Sequence, residues 1–341
     1  MDHNWLLYIS VFACAFGVSM LTTPFAKTLS IKLKALDYPR VRGMHDHPIP
    51  RMGGIAIVLG FFIAMGVAAC FLRELRTTQF LGFVAGAVLV VIASMLDDIH
   101  DLRPRVKLTV QVTAALVVIF SGTRIDFVTY PFYAVLNSVS APLTLVWIVG
   151  VINAVNLIDG LDGLAAGVSA IGAVSLMILC LISGGGMAVV LSAALAGSCL
   201  GFLPRNFNPA EVIMGDTGAQ FLGFVLSVSS IIGVFKAYAL LSVVIALFTL
   251  ALPIFDTLFA MFRRFINRKP IMEADRGHLH HRLIDLGYNQ KQTVIILYCV
   301  SAITGAIAIV IAMKDLRAIL VAALCLLVML LMMFVYQKRI R

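Results

Sequence analysis

The sequence predicts an all-α polytopic membrane protein of about eleven transmembrane helices. Two observations carry this. Apolar residues make up 61% of the chain and charged residues only 13%, whereas a soluble domain is nearer half apolar and a quarter charged. The apolar residues also gather into runs near the ~20 residues needed to cross a bilayer, and no polar stretch between them is long enough to fold separately. Residues 1–341 are therefore expected to form a single integral-membrane domain.

Taken in order, the runs fall at 4–24, 52–72, 78–96, 107–122, 141–158, 163–183, 187–203, 217–234, 237–260, 292–313 and 316–336. The fourth and seventh are short. The first lacks the basic flank of a cleaved signal peptide, so it is expected to be a retained span. Gly82-x-x-x-Gly86 and Gly197-x-x-x-Gly201 provide small faces suited to close helix packing. The outer connection 125–141 mixes aromatic and β-branched residues (Phe127, Tyr130, Phe132, Tyr133) and reads as an aromatic belt at the interface. All six cysteines lie in apolar runs without a C-x-x-C pair, so they read as small buried hydrophobes.

Basic residues set the orientation. With the N-terminus outside and the C-terminus in the cytoplasm, twenty of the 26 Lys and Arg fall on the inner side. Only Arg73, Arg76, Arg124, Lys236, Lys314 and Arg317 fall outside. Thirteen of the 17 acidic residues lie inside as well, so the inner face is rich in both signs. A basic excess alone reflects topology and anionic lipid contact. Clustered acids at span ends need another explanation.

The chemistry-bearing residues sit in five inner connections. The first reads His45-Asp-His47-Pro-Ile-Pro50-Arg51-Met-Gly53-Gly54, equally suited to a positive-inside loop or to phosphate binding. The second, Asp97-Asp98-Ile-His100-Asp101-Leu-Arg103-Pro-Arg105-Val-Lys107, puts adjacent carboxylates at a span end. Like charges so close raise one another's pKa unless a cation intervenes, either a nearby Arg or Lys or a metal. The third, Asn153-Ala-Val-Asn156-Leu-Ile-Asp159-Gly160-Leu-Asp162-Gly163, repeats an amide or carboxylate every third residue, a spacing that keeps side chains on one side of a helix. Helix capping explains one or two of these, not four. In the fourth, Gly215-Asp216 opens a span, where Asp216 also suits an N-cap. The fifth carries Arg263, Arg264 and Arg276-Gly-His278-Leu-His280-His281-Arg282. Its histidines lack zinc-helix spacing and have no cysteine near, so phosphate or sugar recognition suits them better than zinc.

Carboxylates, amides, arginines and histidines thus gather at one membrane face. Mg²⁺ takes oxygen ligands, often one or two carboxylates plus substrate phosphates, and arginines clamp phosphate oxygens. No G-x-x-x-x-G-K-[ST] motif is present, which excludes a P-loop ATPase. The residues point to Mg²⁺-dependent chemistry on a phosphorylated cytosolic substrate, with a lipid as acceptor. A cation-coupled transporter is the competing class, but its acids belong near mid-membrane, and these lie at span ends.

These five motifs, in this order, resemble the polyprenyl-phosphate N-acetylhexosamine-1-phosphate transferases from about Arg40 to Arg282. The H-x-x-P-I-P-R-x-G-G and H-x-H-H loops are similar to the undecaprenyl-phosphate GlcNAc-1-phosphate transferase branch. The MurNAc-pentapeptide branch, with three consecutive histidines, is the nearest alternative. The resemblance implies transfer of GlcNAc-1-phosphate from UDP-GlcNAc to undecaprenyl phosphate with release of UMP. This is the first lipid-linked step of a cell-envelope glycopolymer such as teichoic acid or O-antigen. It implies Asp97, Asp98 and Asp159 as catalytic carboxylates, and Asn156 and Asp216 as ligands of Mg²⁺ or Mn²⁺. Asp162, Lys107, Arg264, His278, His280, His281 and Arg282 become substrate-binding residues, Asp162 near the uracil and Lys107 near the lipid phosphate. Ile213 stands where some relatives place a phenylalanine against uracil. The implied partners are a UDP-N-acetylhexosamine, undecaprenyl phosphate and membrane lipids. A homodimer stays open, and no nucleic acid is expected. The implied location is the bacterial plasma membrane, with the site on the cytoplasmic face.

Overall fold

A computed structural model describes residues 5–38, 48–125, 133–184, 186–235, 246–247, 249–266 and 279–313. Among them, eight helices are long and apolar enough to span a bilayer, so the all-α polytopic class holds. The helices are α1 (Trp5–Lys32), α2 (Gly54–Phe71), α3 (Thr78–His100), α4 (Pro104–Phe120), α5 (Tyr133–Ile158), α6 (Leu164–Ser183), α7 (Gly186–Asn206) and α8 (Gly215–Ser230). After them come α9 (Ala251–Ile266), α10 (Leu279–Asp285) and α11 (Gln290–Ala312). The expected span at 316–336 and much of that at 237–260 lie outside the described residues. The expected 107–122 span is α4, 17 residues long and opened by Pro104, whose fixed φ suits the first helical turn.

Packing follows the small residues. The buried positions of α1 (Val11, Ala15, Ser19, Thr23, Ala26, Ser30) recur every three or four residues and form one stripe. Where that stripe meets α7, added β-carbons at Gly197 and Gly201 would strike the backbone carbonyls of Phe12 and Phe16. Ser19 Oγ donates to the Ser198 carbonyl at 2.7 Å across the same seam. The other glycine pair also packs closely, Gly82 on Ser121 just past α4 and Gly86 on Phe224 of α8. Phe61, Phe83, Phe221 and Phe224 fill the space between α2, α3 and α8, with Phe61 edge-on to Phe221 at 5.3 Å. α8 is buried along nearly all its length at the centre of the bundle, its polar Gln220, Ser227, Ser229 and Ser230 included. The exposed apolar side chains of α1 (Trp5, Leu6, Ile9, Leu21, Phe25) form a face suited to lipid. Of the cysteines, Cys180 and Cys199 are buried as expected, while Cys70 and Cys299 are exposed on apolar helices.

One end of the bundle gathers the polar residues. Two short antiparallel strands, β1 (Leu36–Asp37) and β2 (Ile49–Pro50), bring the chain back to that end. The segment after β2 is bonded to the approach to α8. Ile213 N–H donates to Pro50 O at 2.9 Å, Gly53 N–H to Ile213 O at 3.0 Å, and Gly54 N–H to Met214 O at 2.9 Å. Gly54 and Gly218 touch so closely that a β-carbon at either has no room.

Candidate active site

The site is built where α3 ends and α4, α6 and α8 begin. The N-terminus of α8 has no capping side chain of its own, since Met214 occupies the cap position. Asp98, from the last turn of α3, supplies one. Its Oδ1 accepts Asp216 N–H at 2.9 Å, and its Oδ2 accepts Thr217 N–H at 3.0 Å and Thr217 Oγ1–H at 2.6 Å. A buried carboxylate on helical N–H groups that have no partner within the helix is stabilised by the hydrogen bonds and by the helix dipole. Gly215 makes the approach possible. Its φ is +68°, and a β-carbon there would collide with Arg51 O and come within 2.8 Å of the Asp98 carboxylate. Asp216, read as a possible cap, instead projects from the first turn of α8.

Asp97 has different partners. Its Oδ1 accepts Leu102 N–H at 2.7 Å and closes the α3–α4 turn, while its Oδ2 pairs with Lys107. The Lys107 ammonium lies between Asp97 and Asp216, donating to Asp216 Oδ2 at 2.6 Å. Arg51 lies on the other side, with Nε 3.3 Å from Asp98 and Nη1 3.2 Å from Asp101. Burial works against the Arg51 charge, but Asp98, Asp216 and Asp101 outweigh it and raise its pKa. The first inner loop therefore enters the site through Arg51, whose ion pairs the sequence did not reveal; His45 and His47 lie outside the described residues.

The third motif is part helix and part turn. α5 ends at Ile158, so Asn153 and Asn156 are helical while Asp159 and Asp162 lie in the turn to α6. Burial, then the charges of Asp216, Asp98 and Asp162, push the Asp159 carboxyl up to about 8. Asp162 is buried, and its Oδ2 accepts Asn208 Nδ2–H at 2.9 Å and Ala210 N–H at 3.1 Å. It thereby ties this turn to the connection before α8. Asn156 is half-buried, and its side chain makes no hydrogen bond among the described residues.

A layer of amides lies one turn deeper, unforeseen from sequence. Gln111 follows Lys107 by four residues, Gln220 follows Asp216 by four, and Asn153 precedes Asn156 by three. Gln111 Nε2 donates to Gln220 Oε1 at 3.1 Å, and Asn153 Nδ2 donates to Gln111 Oε1 at 2.7 Å. Such polar positions inside apolar spans were the available signal.

The fifth motif folds back on the third. Leu279 N–H donates to Asp256 Oδ1 at 2.8 Å, fixing the start of α10. His280 is buried, and a β-carbon at Gly160 would sit 2.7 Å from its Nε2. His281 stacks at an angle on His280, with centroids 4.3 Å apart. Arg282 lies over the Phe259 ring at 5.1 Å, and Arg264 is buried on α9. His278 lies outside the described residues.

The donor set suits a hard divalent cation. Asp97 and Asp216 converge on one cationic nitrogen, and Asp97, Asp98, Asp159 and Asp216 outnumber the cations Lys107 and Arg51. Among the described residues no three His, Cys, Asp or Glu side chains enclose a metal site. Mg²⁺ is usually held by one or two carboxylates and completed by substrate phosphates and water, so such a group is not required for it.

The profile of glycosyl transferase family 4 matches residues 80–234, which include the second, third and fourth motifs. The chain is 39% identical, over 91% of its length and 86% of the relative's, to the "Probable undecaprenyl-phosphate N-acetylglucosaminyl 1-phosphate transferase" of Bacillus subtilis (strain 168). It is 33% identical, over 90% of its length and 84% of the relative's, to the decaprenyl-phosphate N-acetylglucosaminephosphotransferase of Mycobacterium tuberculosis (strain ATCC 25618 / H37Rv). Identity to the undecaprenyl-phosphate alpha-N-acetylglucosaminyl 1-phosphate transferase of Escherichia coli (strain K12) is 25%, covering 84% of this chain and 78% of the relative. Matched by that profile through its central motifs and aligned almost end to end with the first two relatives, the chain belongs to glycosyl transferase family 4, among its polyprenyl-phosphate N-acetylhexosamine-1-phosphate transferases.

Proposed function

We propose that this chain transfers GlcNAc-1-phosphate from UDP-GlcNAc to undecaprenyl phosphate, using Mg²⁺ at the cytoplasmic face of a bacterial plasma membrane. The observation that carries the reading is the convergence of Asp97 and Asp216 on the Lys107 ammonium, at the end of the bundle where the inner loops gather. A cation held between two carboxylates marks a place where phosphate and metal charge can be handled together. The relatives' printed names, which carry N-acetylglucosamine, support GlcNAc rather than MurNAc-pentapeptide as the sugar. The twenty inner basic residues support a cytoplasmic site, an N-terminus outside and a C-terminus inside.

In the proposed reaction an oxygen of undecaprenyl phosphate attacks the β-phosphorus of UDP-GlcNAc. The bond from that phosphorus to the bridging oxygen breaks, and UMP leaves with the electron pair. A phosphate monoester has a second pKa near ~6, so the nucleophile is already mostly dianionic and no strong base is required. Lys107 orients the acceptor phosphate, and Asp97 holds Lys107 in place. Arg264 and the His280–Arg282 segment face the diphosphate and sugar. Asp216 and Asn156 would hold Mg²⁺ or Mn²⁺, which would supply positive charge against the diphosphate and the departing UMP.

The test is purified protein with UDP-GlcNAc, undecaprenyl phosphate and Mg²⁺, following UMP, with UDP-MurNAc-pentapeptide in parallel. UMP release with UDP-GlcNAc alone supports the reading. Release only with the MurNAc donor, or none with either, refutes it.

A further inference from the structure

The turn from Asp159 to Gly163 is held from outside the matched family region, by α10 and α11. Tyr298 on α11 donates its hydroxyl to the Gly163 carbonyl at 2.5 Å. Gly163 has φ +79° and, like Gly160, is a pliable residue of the turn. The hydroxyl fixes the carbonyl of that residue. Gly167, one turn along α6, makes space for the ring, because a β-carbon there would overlap the Tyr298 phenol. Two turns earlier on α11, Gln290 Oε1 accepts Asn208 Nδ2–H at 2.6 Å. The same Asn208 amide donates to Asp162 at 2.9 Å. The third attachment is His280 of α10, seated against Gly160. Three neighbouring positions of one turn, 160, 162 and 163, are thus held by one helical pair.

We propose that Tyr298 and Gln290 are positioning residues for the nucleotide-sugar donor, locking the Asp159–Gly163 turn to the α10–α11 pair so that its carboxylates and His280 present one preformed donor surface. The inference rests on the donor reading given above. The acceptor side is built separately, since Lys107 stands on α4 and is bonded to α3 and α8. Loosening the α11 bracket therefore separates the two substrates kinetically.

The experiment uses the full chain carrying Tyr298→Phe, which removes only the hydroxyl, and Gln290→Leu as an independent second cut. Each variant is measured for KM toward UDP-GlcNAc and undecaprenyl phosphate, kcat, melting temperature, and amide hydrogen exchange across 156–168. The expected result is a KM for UDP-GlcNAc raised about tenfold, the size of one lost buried hydrogen bond. Exchange in the turn rises and the melting temperature drops by no more than a few degrees, about what one internal hydrogen bond costs, while the KM for undecaprenyl phosphate stays at the wild-type value. Active wild type with unchanged donor KM in both variants overturns the positioning role alone. An equal rise in both KM values overturns it too, because the bracket would then be general scaffolding. Wild type that does not use UDP-GlcNAc overturns the donor reading, and this inference with it.

Discussion

Asp97 and Asp98 are adjacent, but replacing each with asparagine should give opposite phenotypes. Asp98 is a fully buried carboxylate accepting three hydrogen bonds from the first turn of α8, with Arg51 alongside. Asparagine keeps one acceptor oxygen and turns an NH₂ toward a backbone N–H. That loses one charge-assisted bond, worth about 1.5–3 kcal/mol, and leaves a buried donor unsatisfied at about 1–3 kcal/mol. The total is about 2.5–6 kcal/mol, which lowers the melting temperature by about 5–20 °C on the scale of a large domain. In Asp97→Asn the side-chain oxygen still accepts Leu102 N–H, and Lys107 still has Asp216. The stability cost is smaller, about 1–3 kcal/mol, because one ion pair to the partly exposed Lys107 is lost. Turnover, however, should fall by about 10²-fold, because Lys107 loses the partner that sets its position. The assay is thermal unfolding of both variants in the same detergent, beside UMP release per folded molecule. Asp98→Asn protein that melts with the wild type would refute the capping argument, and so would an equal loss of melting temperature in the two variants.

Three further outcomes are expected. Asp216→Ala should abolish Mg²⁺-dependent UMP release while the protein stays folded, and full wild-type turnover in EDTA would exclude the metal role. Because Asp159 is raised to about 8 in the folded chain from 3.8, the folded state holds a proton that the unfolded state gives up between those values, so metal-free stability falls as pH rises across that window. Asp159→Asn should flatten the fall, and added Mg²⁺ should stabilise the wild type more at pH 8 than at pH 6, as thermal unfolding at several pH values will report. Gly160→Ala should push His280 off the turn, since its β-carbon would lie 2.7 Å from the imidazole. Donor binding by calorimetry should weaken about tenfold, and unchanged affinity would show that His280 only braces the loop.

Hydropathy alone marked most of the spans, because the bilayer demands apolar runs of a fixed length. The ends were less legible. α1 continues through Pro24 to Lys32, well past the end of its apolar run, and α5 begins at Tyr133, before its run starts. Helices extend into polar surroundings wherever their backbone bonds can be met, and hydropathy does not register this. The site residues were legible as types at span ends. Their partners were not. Nothing local in the sequence says that Asp98 caps a helix starting at Gly215, or that Arg51 reaches Asp98. Those contacts join residues 47 and 118 apart in the chain. Asp162 shows the same limit, since its hydrogen bonds to Asn208 and Ala210 depend on where α7 ends.

The amide layer beneath the charges explains how such a cluster is held in an otherwise apolar bundle. Lys107 and Asp216 stand on different helices, and a small slide of α4 against α8 would pull them apart. Gln111 and Gln220 repeat the same pairing one turn deeper, and Asn153 extends it to α5. Two contacts a turn apart on the same pair of helices fix their relative height as well as their distance. Amides suit the deeper layer because they bond one another without carrying charge. A carboxylate at position 220 would need a counter-ion of its own away from water, and the nearest candidate is the Lys107 ammonium four residues from Gln111. It would then compete with Asp97 and Asp216 for the charge the upper layer depends on. Neutral amides below and ion pairs above hold together a bundle end that carries more carboxylates than cations.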